Sequence, residues 1–165
     1  MVRLGIARSL EKNKRQNRYR KTFVRKRLLI ASAADIVIAR QHARALASKA
    51  GFSTSGAMLI AVAITEISKN MIEHAGQGEI LMQPIEYRGQ QGIQILARDE
   101  GPGIADLDRA LEYGCSTGKG LGLGLPGARW LMDEFEIDSR PGGGTTITMK
   151  KWVNENEDHF ISRAE

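Results

Sequence analysis

Residues 65–75 read TEISKNMIEHA, and this stretch decides how the rest of the chain is interpreted. It continues an apolar helical pattern, yet Glu66, Asn70 and His74 recur at four-residue steps and so share one helical face. An otherwise apolar helix has little reason to place three polar groups on one stripe unless they line a cavity. Chance alignment of polar residues at a helix edge is the competing interpretation, and this segment alone does not decide between the two.

Two further segments place polar side chains next to glycines, whose backbone is not covered by a side chain. In DEGPGI at 99–104, Asp99 ends a predicted strand, where its carboxylate can accept a hydrogen bond from an exocyclic amine. The glycines that follow let a flat ring approach the backbone closely. Glycines at 142–144 precede Thr145 and Thr146, which add hydroxyl groups. Each segment is weak evidence alone, whereas their order and spacing together predict a binding site.

The glycine-rich stretch GCSTGKGLGLGLPGARW at 114–130 is costly to order, because glycine gives the unfolded chain the most freedom. It is not a Walker A loop, since Gly114 and Gly118 are too close and Gly120 follows Lys119 in place of a hydroxyl residue. A G-x-G-x-x-G match within the stretch lacks the preceding strand of a dinucleotide fold. Successive glycine N–H groups, the Lys119 cation and the positive end of the following helix favour an anion such as phosphate. A plain surface loop is the alternative.

The remaining pattern predicts helices grouped against a largely antiparallel sheet, which is an α/β (α+β) two-layer sandwich. Alternating apolar residues mark a central hairpin with one buried face, joined by RGQQG at 88–92. Serines at 53 and 55 and the threonine between them offer N-caps for the second helix. The predicted strands span 27–31, 79–87, 92–98, 136–139 and 145–152, and the predicted helices span 32–50, 56–75, about 106–113, and 123–135.

Charge is divided unevenly along the chain. Residues 1–27 contain eleven Lys or Arg and one Glu, whereas the whole chain has 24 basic and 19 acidic residues. The basic character therefore belongs to an N-terminal extension, which we expect to be disordered, and not to the domain at 28–153. A C-terminal tail at 154–165 follows that domain. The extension could bind nucleic acid or an anionic membrane, or remain solvated.

The chain is expected to be soluble and cytoplasmic. The apolar run that follows the extension is interrupted by Asp35, which is atypical of a secretory signal. The longest apolar run, AMLIAVAI at 57–64, is much shorter than the roughly 20 residues of a membrane span. Cys115 is the single cysteine, so neither an internal disulfide nor a cysteine-based zinc site is expected.

Taken together, the polar and glycine-rich segments resemble the nucleotide-binding boxes of the Bergerat-fold ATPases, the superfamily of gyrase, histidine kinases and MutL. The fold this implies has a mixed, mostly antiparallel sheet covered by helices on one face. Within the superfamily, LPGARWLMDEF at 125–135 resembles the RsbT-type switch serine/threonine kinases, relatives of the anti-sigma factor kinases. The N, G1, G2 and G3 boxes correspond to ExxxN at 66–70, DEGPG at 99–103, the glycine stretch at 114–124 and GGGT at 142–145.

The resemblance implies an ATP site that uses Mg²⁺. Glu66 would act as general base toward the acceptor hydroxyl, and Asn70 would ligate the Mg²⁺ that bridges the phosphates. Asp99 would bind the adenine amine, while His74 would pack or support these groups. The other implied ATP contacts are Gly101, Gly103, Ile104 and Thr145 around the adenine pocket, and Gly118, Lys119, Gly120, Leu121, Gly122 and Gly124 in a lid over the phosphates.

We therefore expect a protein-serine/threonine kinase of a partner-switching, stressosome-like module. The resemblance implies a STAS-domain antagonist or scaffold protein as substrate, followed by binding to a downstream phosphatase or other output regulator. A non-catalytic ATP-gated adaptor is the alternative, although Glu66 and Asn70 are both present. An orphan histidine kinase domain is disfavoured because residues 1–27 contain no acceptor histidine. Binding of nucleic acid through that segment stays open.

Overall fold

Five strands and four helices make up the described part of the chain, residues 25–112 and 124–154 of the computed structural model. In chain order they are β1 (Lys26–Ile30), α1 (Ala33–Ala50), α2 (Thr54–Ala75), β2 (Gly78–Tyr87), β3 (Gln90–Asp99), α3 (Leu107–Ala110), α4 (Gly124–Leu131), β4 (Glu134–Ser139) and β5 (Thr145–Trp152).

The strands form a sheet in the order β1-β2-β3-β5-β4, and the two-layer α/β architecture is confirmed. Every pairing among the described strands is antiparallel, which confirms the expected predominance of antiparallel pairing in a mixed, mostly antiparallel sheet. The hairpins β2–β3 and β4–β5 are local, whereas the β3–β5 pairing joins strands separated by α3, α4 and β4. That pairing places the ends of β3 and β5 side by side.

The sheet buries one face against the helices and leaves the other partly solvated. The alternation predicted for the β2–β3 hairpin is confirmed, and β5 follows the same period of two. Each fully buried isoleucine or methionine stabilises the fold by about 1.5–3 kcal/mol relative to an exposed one. The apolar side chains buried on this face are Ile30, Ile80, Met82, Ile93, Ile95, Ala97, Ile147 and Met149.

Helix α1 begins after Ser32, whose side chain accepts a hydrogen bond from the backbone N–H of Asp35. The Ser32 hydroxyl in turn donates to Asp35 Oδ2 at 2.8 Å, and this hydrogen bond lowers the pKa of Asp35. The helix buries Ala39, Ala43 and Ala47. Because these side chains are small, α1 can approach its neighbours closely.

Helix α2 is the central helix of the helical layer. Its N-cap is Ser53, one of the three candidates, so the helix begins two residues before the predicted start at 56. By length and composition alone, this helix could cross a membrane. A buried core helix passes the same test, and α2 buries ten residues, Ile60, Ile64 and Ile67 among them. The same helix carries the polar stripe of residues 66–74.

The turn of the β2–β3 hairpin is tighter than the sequence suggested. The predicted connection was RGQQG, but β3 already begins at Gln90, which leaves Arg88 and Gly89 as the turn. Both residues have positive φ, 52° and 83°. A two-residue turn with this backbone matches the right-handed twist of the paired strands, so pairing extends to Tyr87 and Gln90.

Helix α4 is shorter than predicted, and β4 is longer. The helix was expected over 123–135, but it ends at Leu131, and Glu134 already lies in β4. The cause is a tertiary contact: the buried Lys151 Nζ donates to the Leu131 carbonyl at 3.2 Å and lies 3.5 Å from Asp133 Oδ1. Pro126 lies within the first turn of the helix, as predicted.

The sheet also begins earlier than expected. Lys26 and Arg27, assigned above to the basic extension at 1–27, pair with β2 as part of β1. Arg27 forms an ion pair with Glu79 at 3.1 Å across these strands. Residues 1–24 of the extension and the C-terminal tail from residue 155 lie outside the described residues, as does Cys115.

Replacing Lys151 with methionine should destabilise the fold by about 1–3 kcal/mol, because the buried C-terminal carbonyl of α4 loses its donor. Urea-induced unfolding measures the loss. The matched control is Lys49→Met, an exposed lysine in the last turn of α1, which should change the free energy of unfolding by less than about 1 kcal/mol. Equal losses in the two variants would contradict the capping role of Lys151.

Candidate functional site

Three polar side chains meet in one row at an end of the sheet. The strand register places Thr145 opposite Asp99 on β3 and opposite Ser139 on β4. Alternation along β3 puts Asp99 on the same face as the buried Ala97, which is the face toward the helices. The sheet therefore directs a carboxylate and two hydroxyl groups toward the helical layer, at the point where the strands end.

A cavity of about 310 Å³ lies between this row and α2. Its volume is at the lower end of the range typical of small-molecule sites. Helix α2 forms one wall, the strand ends form another, and the first residues of α4 form a third. Its lining includes Ile67, Asn70, Met71, Glu73, His74, Ala97, Asp99, Pro102, Gly103, Ile104, Ala110, Gly124, Leu125, Pro126, Thr145 and Ile147.

Asp99 is oriented by the turn that follows it. The backbone N–H of Gly101 donates to Asp99 Oδ1 at 2.9 Å. Within the described residues, Oδ2 accepts no such bond. The carboxylate is therefore held through one oxygen and can present the other to a donor in the cavity.

The glycines of the 99–104 turn are required for a different reason from the one the sequence suggested. A Cβ at Gly101 would lie 2.5 Å from the Ala75 Cβ at the end of α2. Gly103 has φ +71°, and a Cβ there would overlap the carbonyl oxygen of Arg140. These positions need glycine because other parts of the chain pack against them, so close approach of a ligand ring is not needed to explain them.

Ser139 connects the two loops beneath the cavity, and sequence reasoning missed it. Its hydroxyl oxygen accepts from the backbone N–H of Ile104 at 2.8 Å and lies 3.1 Å from the Gly144 carbonyl. It also lies 2.9 Å from Thr145 Oγ1. The predicted strand at 136–139 already ended at this serine, but only the pairing of β4 with β5 shows what it contacts.

The polar stripe of α2 does face the cavity, although its members differ in burial. Asn70 is half-buried and lines the cavity, and its carboxamide makes no hydrogen bond within the described residues. His74 is exposed at the cavity rim, so it does not pack in the core, and its support of the neighbouring groups stays a prediction. Glu66, one turn before Asn70, is only 5% exposed and lies behind the lining residues.

Glu66 is the polar group with the most unusual environment. Its Oε2 accepts the backbone N–H of Gly124, the first residue of α4, at 3.0 Å. Its Oε1 is buried and has no hydrogen-bond partner among the described residues. A buried carboxylate oxygen without a donor is costly, which is typical of a group held ready for a ligand or a reaction.

The start of α4 offers fewer donors to an anion than the sequence suggested. The N–H of Gly124 is used by Glu66, and Pro126 has none. The interaction of α4 with Glu66 thus replaces part of the anion site expected there.

The structure therefore brings together most of the predicted site residues that it describes. Asn70, Asp99, Gly103, Ile104, Gly124 and Thr145 line one cavity, with Glu66 and Gly101 directly behind its wall. Gly118, Lys119, Gly120, Leu121 and Gly122 lie outside the described residues.

The donor set is compatible with one Mg²⁺ contact through Asn70. A carboxamide oxygen is a hard ligand, and Mg²⁺ takes few protein ligands while keeping waters and phosphate oxygens. The described residues contain no group of three or more His, Cys, Asp or Glu that could hold a metal by themselves. A metal bound here would therefore depend on the phosphates of its nucleotide.

Comparison with known proteins agrees with this geometry. A family model described as a histidine kinase-like ATPase domain matches residues 29–151. The matched segment includes every described strand and helix except the ends of β1 and β5.

The similar individual proteins include a serine/threonine-protein kinase and anti-sigma F factors. The serine/threonine-protein kinase RsbT of Bacillus subtilis (strain 168) is 45% identical over 119 residues, which cover 72% of this chain and 90% of that protein. An anti-sigma F factor of Caldanaerobacter subterraneus subsp. tengcongensis is 33% identical over 101 residues, covering 59% of this chain and 71% of the relative. One from Thermoanaerobacter sp. (strain X514) is 30% identical over 102 residues, with the same coverage.

The steric role of Gly103 can be separated from its backbone conformation. Gly142 also has positive φ, at +75°, but a Cβ there meets nothing within 4 Å. Gly142→Ala should therefore cost only the conformational penalty of about 1–2 kcal/mol. Gly103→Ala should cost about 1–3 kcal/mol more, because the Arg140 carbonyl must move. Denaturant unfolding of both variants is the measurement, and equal costs would show that the loops do not meet there.

Proposed function

The chain belongs to the histidine kinase-like ATPase family, among its RsbT-type serine/threonine-protein kinases, and we propose that the cavity beside Asp99 and Asn70 is its ATP site. We further propose that Glu66 is the general base for transfer to a protein hydroxyl. The observation that carries this proposal is the buried Glu66 carboxylate, held through Oε2 while Oε1 has no partner among the described residues.

The arrangement of the cavity supports one orientation of the nucleotide. Asp99 Oδ2 and Thr145 lie at the strand ends, where the amine of adenine finds acceptors. Asn70 lies on the α2 wall and the start of α4 forms the neighbouring wall, where an amide oxygen for Mg²⁺ and the positive end of a helix suit phosphates. The adenine therefore lies against the sheet, and the triphosphate extends along α2 toward Glu66.

Transfer in this orientation requires little covalent chemistry from the protein. The acceptor hydroxyl oxygen forms a bond to the γ-phosphorus while the bond from that phosphorus to the β–γ bridging oxygen breaks. The electron pair leaves with ADP, and the hydroxyl proton passes to Glu66 Oε1. Mg²⁺, when bound at Asn70, supplies charge neutralisation for the phosphates. The loose transition state makes positioning and charge the main contributions to catalysis.

The link between Glu66 and Gly124 gives the base a fixed direction. Because Oε2 is engaged by the α4 backbone, Oε1 is the oxygen available to the acceptor hydroxyl. A base held in this way avoids reorientation during the reaction, which is the advantage of a preorganised site. The same bond makes the position of α4 depend on Glu66.

The substrate and the output of the kinase are proposals that rest on the resemblance to RsbT-type kinases. We propose that a STAS-domain protein supplies the acceptor hydroxyl, and that the kinase then binds a downstream phosphatase or other output regulator. The similarity to an RsbT kinase and to anti-sigma F factors supports a partner-switching role in the cytoplasm. The alternative of an ATP-gated adaptor uses the same cavity without phosphoryl transfer.

Glu66→Gln is the sharpest test of the catalytic role. Glutamine keeps an oxygen that can accept the Gly124 N–H, but it cannot take a proton, so transfer to a co-encoded STAS-domain protein should fall on the order of 10²- to 10⁴-fold. ATP affinity, measured by calorimetry, should stay within about threefold. The companion variant Glu66→Ala also removes the partner of Gly124 and should lose about 1–3 kcal/mol of stability in addition. Full transfer by Glu66→Gln would contradict the base assignment.

Asn70→Ala tests the proposed Mg²⁺ contact, and phosphate transfer by the wild type separates the kinase from the adaptor. Wild-type protein should bind ATP more tightly with Mg²⁺ than without it, and Asn70→Ala should lose about tenfold or more of that Mg²⁺-dependent gain. Lys69→Ala, an exposed neighbour on α2, should keep the gain. ATP-dependent partner binding without any phosphate transfer by the wild type would favour the adaptor.

A further inference from the structure

The Ser139 hydroxyl lies among three partners with different hydrogen-bonding abilities. The Ile104 N–H can only donate to it, and the Gly144 carbonyl at 3.1 Å can only accept from it. Thr145 Oγ1 at 2.9 Å can do either. Ser139 has a single proton to distribute, so these contacts are coupled.

The Gly144 carbonyl determines the direction of the Ser139 hydroxyl proton. If the Ser139 proton points to Gly144, all three contacts are hydrogen bonds provided that Thr145 donates its own proton to Ser139. If the Ser139 proton instead points to Thr145, the Gly144 carbonyl loses this donor. Full satisfaction of the partly buried network therefore requires Thr145 to donate inward.

This direction determines what Thr145 offers to the cavity. With its proton used by Ser139, the threonine oxygen can only accept a hydrogen bond from a ligand. Asp99, directly opposite in the register, is likewise an acceptor through Oδ2. Asp99 and Thr145 thus accept hydrogen bonds from a ligand in the cavity and donate none to it.

We infer that Ser139 is a positioning residue that sets nucleotide specificity by fixing the Thr145 hydroxyl as an acceptor. Two acceptors favour a purine with a 6-amino group, which donates, and disfavour one with a 6-oxo group, which accepts. The inference rests on the proposed ATP site. It adds the residue through which Thr145 distinguishes a 6-amino from a 6-oxo purine. Ser139 itself is not among the residues that line the cavity.

Ser139 also ties the 99–104 turn to the 140–144 loop, so loss of its hydroxyl can weaken the site as a whole. A general weakening lowers the affinity for every nucleotide alike. Loss of the fixed proton direction instead lets Thr145 rotate and donate to a 6-oxo group. The ratio of the affinities for a 6-amino and a 6-oxo purine nucleotide therefore separates a loss of specificity from a general weakening of the site. The affinity for ATP alone does not separate them.

The experiment compares calorimetric affinities of the full chain for ATP and for ITP, which carries a 6-oxo group, in the presence of Mg²⁺. Wild type should prefer ATP, and Ser139→Ala should lower the ATP-to-ITP affinity ratio by about fivefold. Ser139→Thr, which keeps a hydroxyl, should restore the ratio to within about twofold of wild type. Thr146→Val serves as the matched control, because its side chain lies on the opposite face of β5, and it should leave the ratio unchanged.

A double-mutant cycle tests whether Ser139 acts through Thr145. In a Thr145→Val background, Ser139→Ala should change the ratio by less than about twofold, because no hydroxyl is left to orient. If Ser139→Ala does not fold, Ser139→Cys replaces it throughout. An unchanged ratio in the folded Ser139 variant, or the same loss in the Thr145→Val background, overturns the inference. Absence of ATP binding by wild type would instead overturn the proposed function itself.

Discussion

Two loops meet backbone to backbone beneath the cavity, and the rest of the site depends on that contact. Gly103 lies against the Arg140 carbonyl, and Gly144 lies against the Asp99 carbonyl, each with no room for a side chain. The Gly142 N–H donates to the Pro102 carbonyl at 2.7 Å between the same loops. This close packing holds the ends of β3 and β5 in register, so Asp99 and Thr145 face the cavity together.

A second constraint links the helical layer to the chemistry. The carboxylate of Glu66 is both the buried partner of the α4 backbone and the proposed base, so its two oxygens serve different purposes. At the other end of α4, Lys151 holds the terminal carbonyl. The short helix is thus fixed at its N-terminus by the Glu66 carboxylate and at its C-terminus by the Lys151 ammonium group. This arrangement of charges is the one that the helix dipole favours.

Local patterns predicted the parts of the site that depend on local structure. The four-residue spacing placed Asn70 on the cavity face, and the strand ends placed Asp99 and Thr145. Contacts between distant segments were out of reach: Ser139 with Ile104 and Glu66 with Gly124 join residues 35 and 58 positions apart. The end of α4 was missed for the same reason, because pairing of β4 with β5 overrides the helical tendency of residues 132–135. The sequence pointed to the importance of the glycines in the 99–104 turn, but it did not reveal that they make room for other parts of the chain.

The antiparallel pairing of β3 with β5 has a consequence for the order of folding. The hairpins β2–β3 and β4–β5 close short loops, whereas their union must bring together segments far apart along the chain, which is slow. Asp99 lies on β3 and Thr145 on β5, so the cavity exists only once these two strands have paired. A ligand that binds in this cavity stabilises the native state alone, and this added stability appears chiefly as slower unfolding.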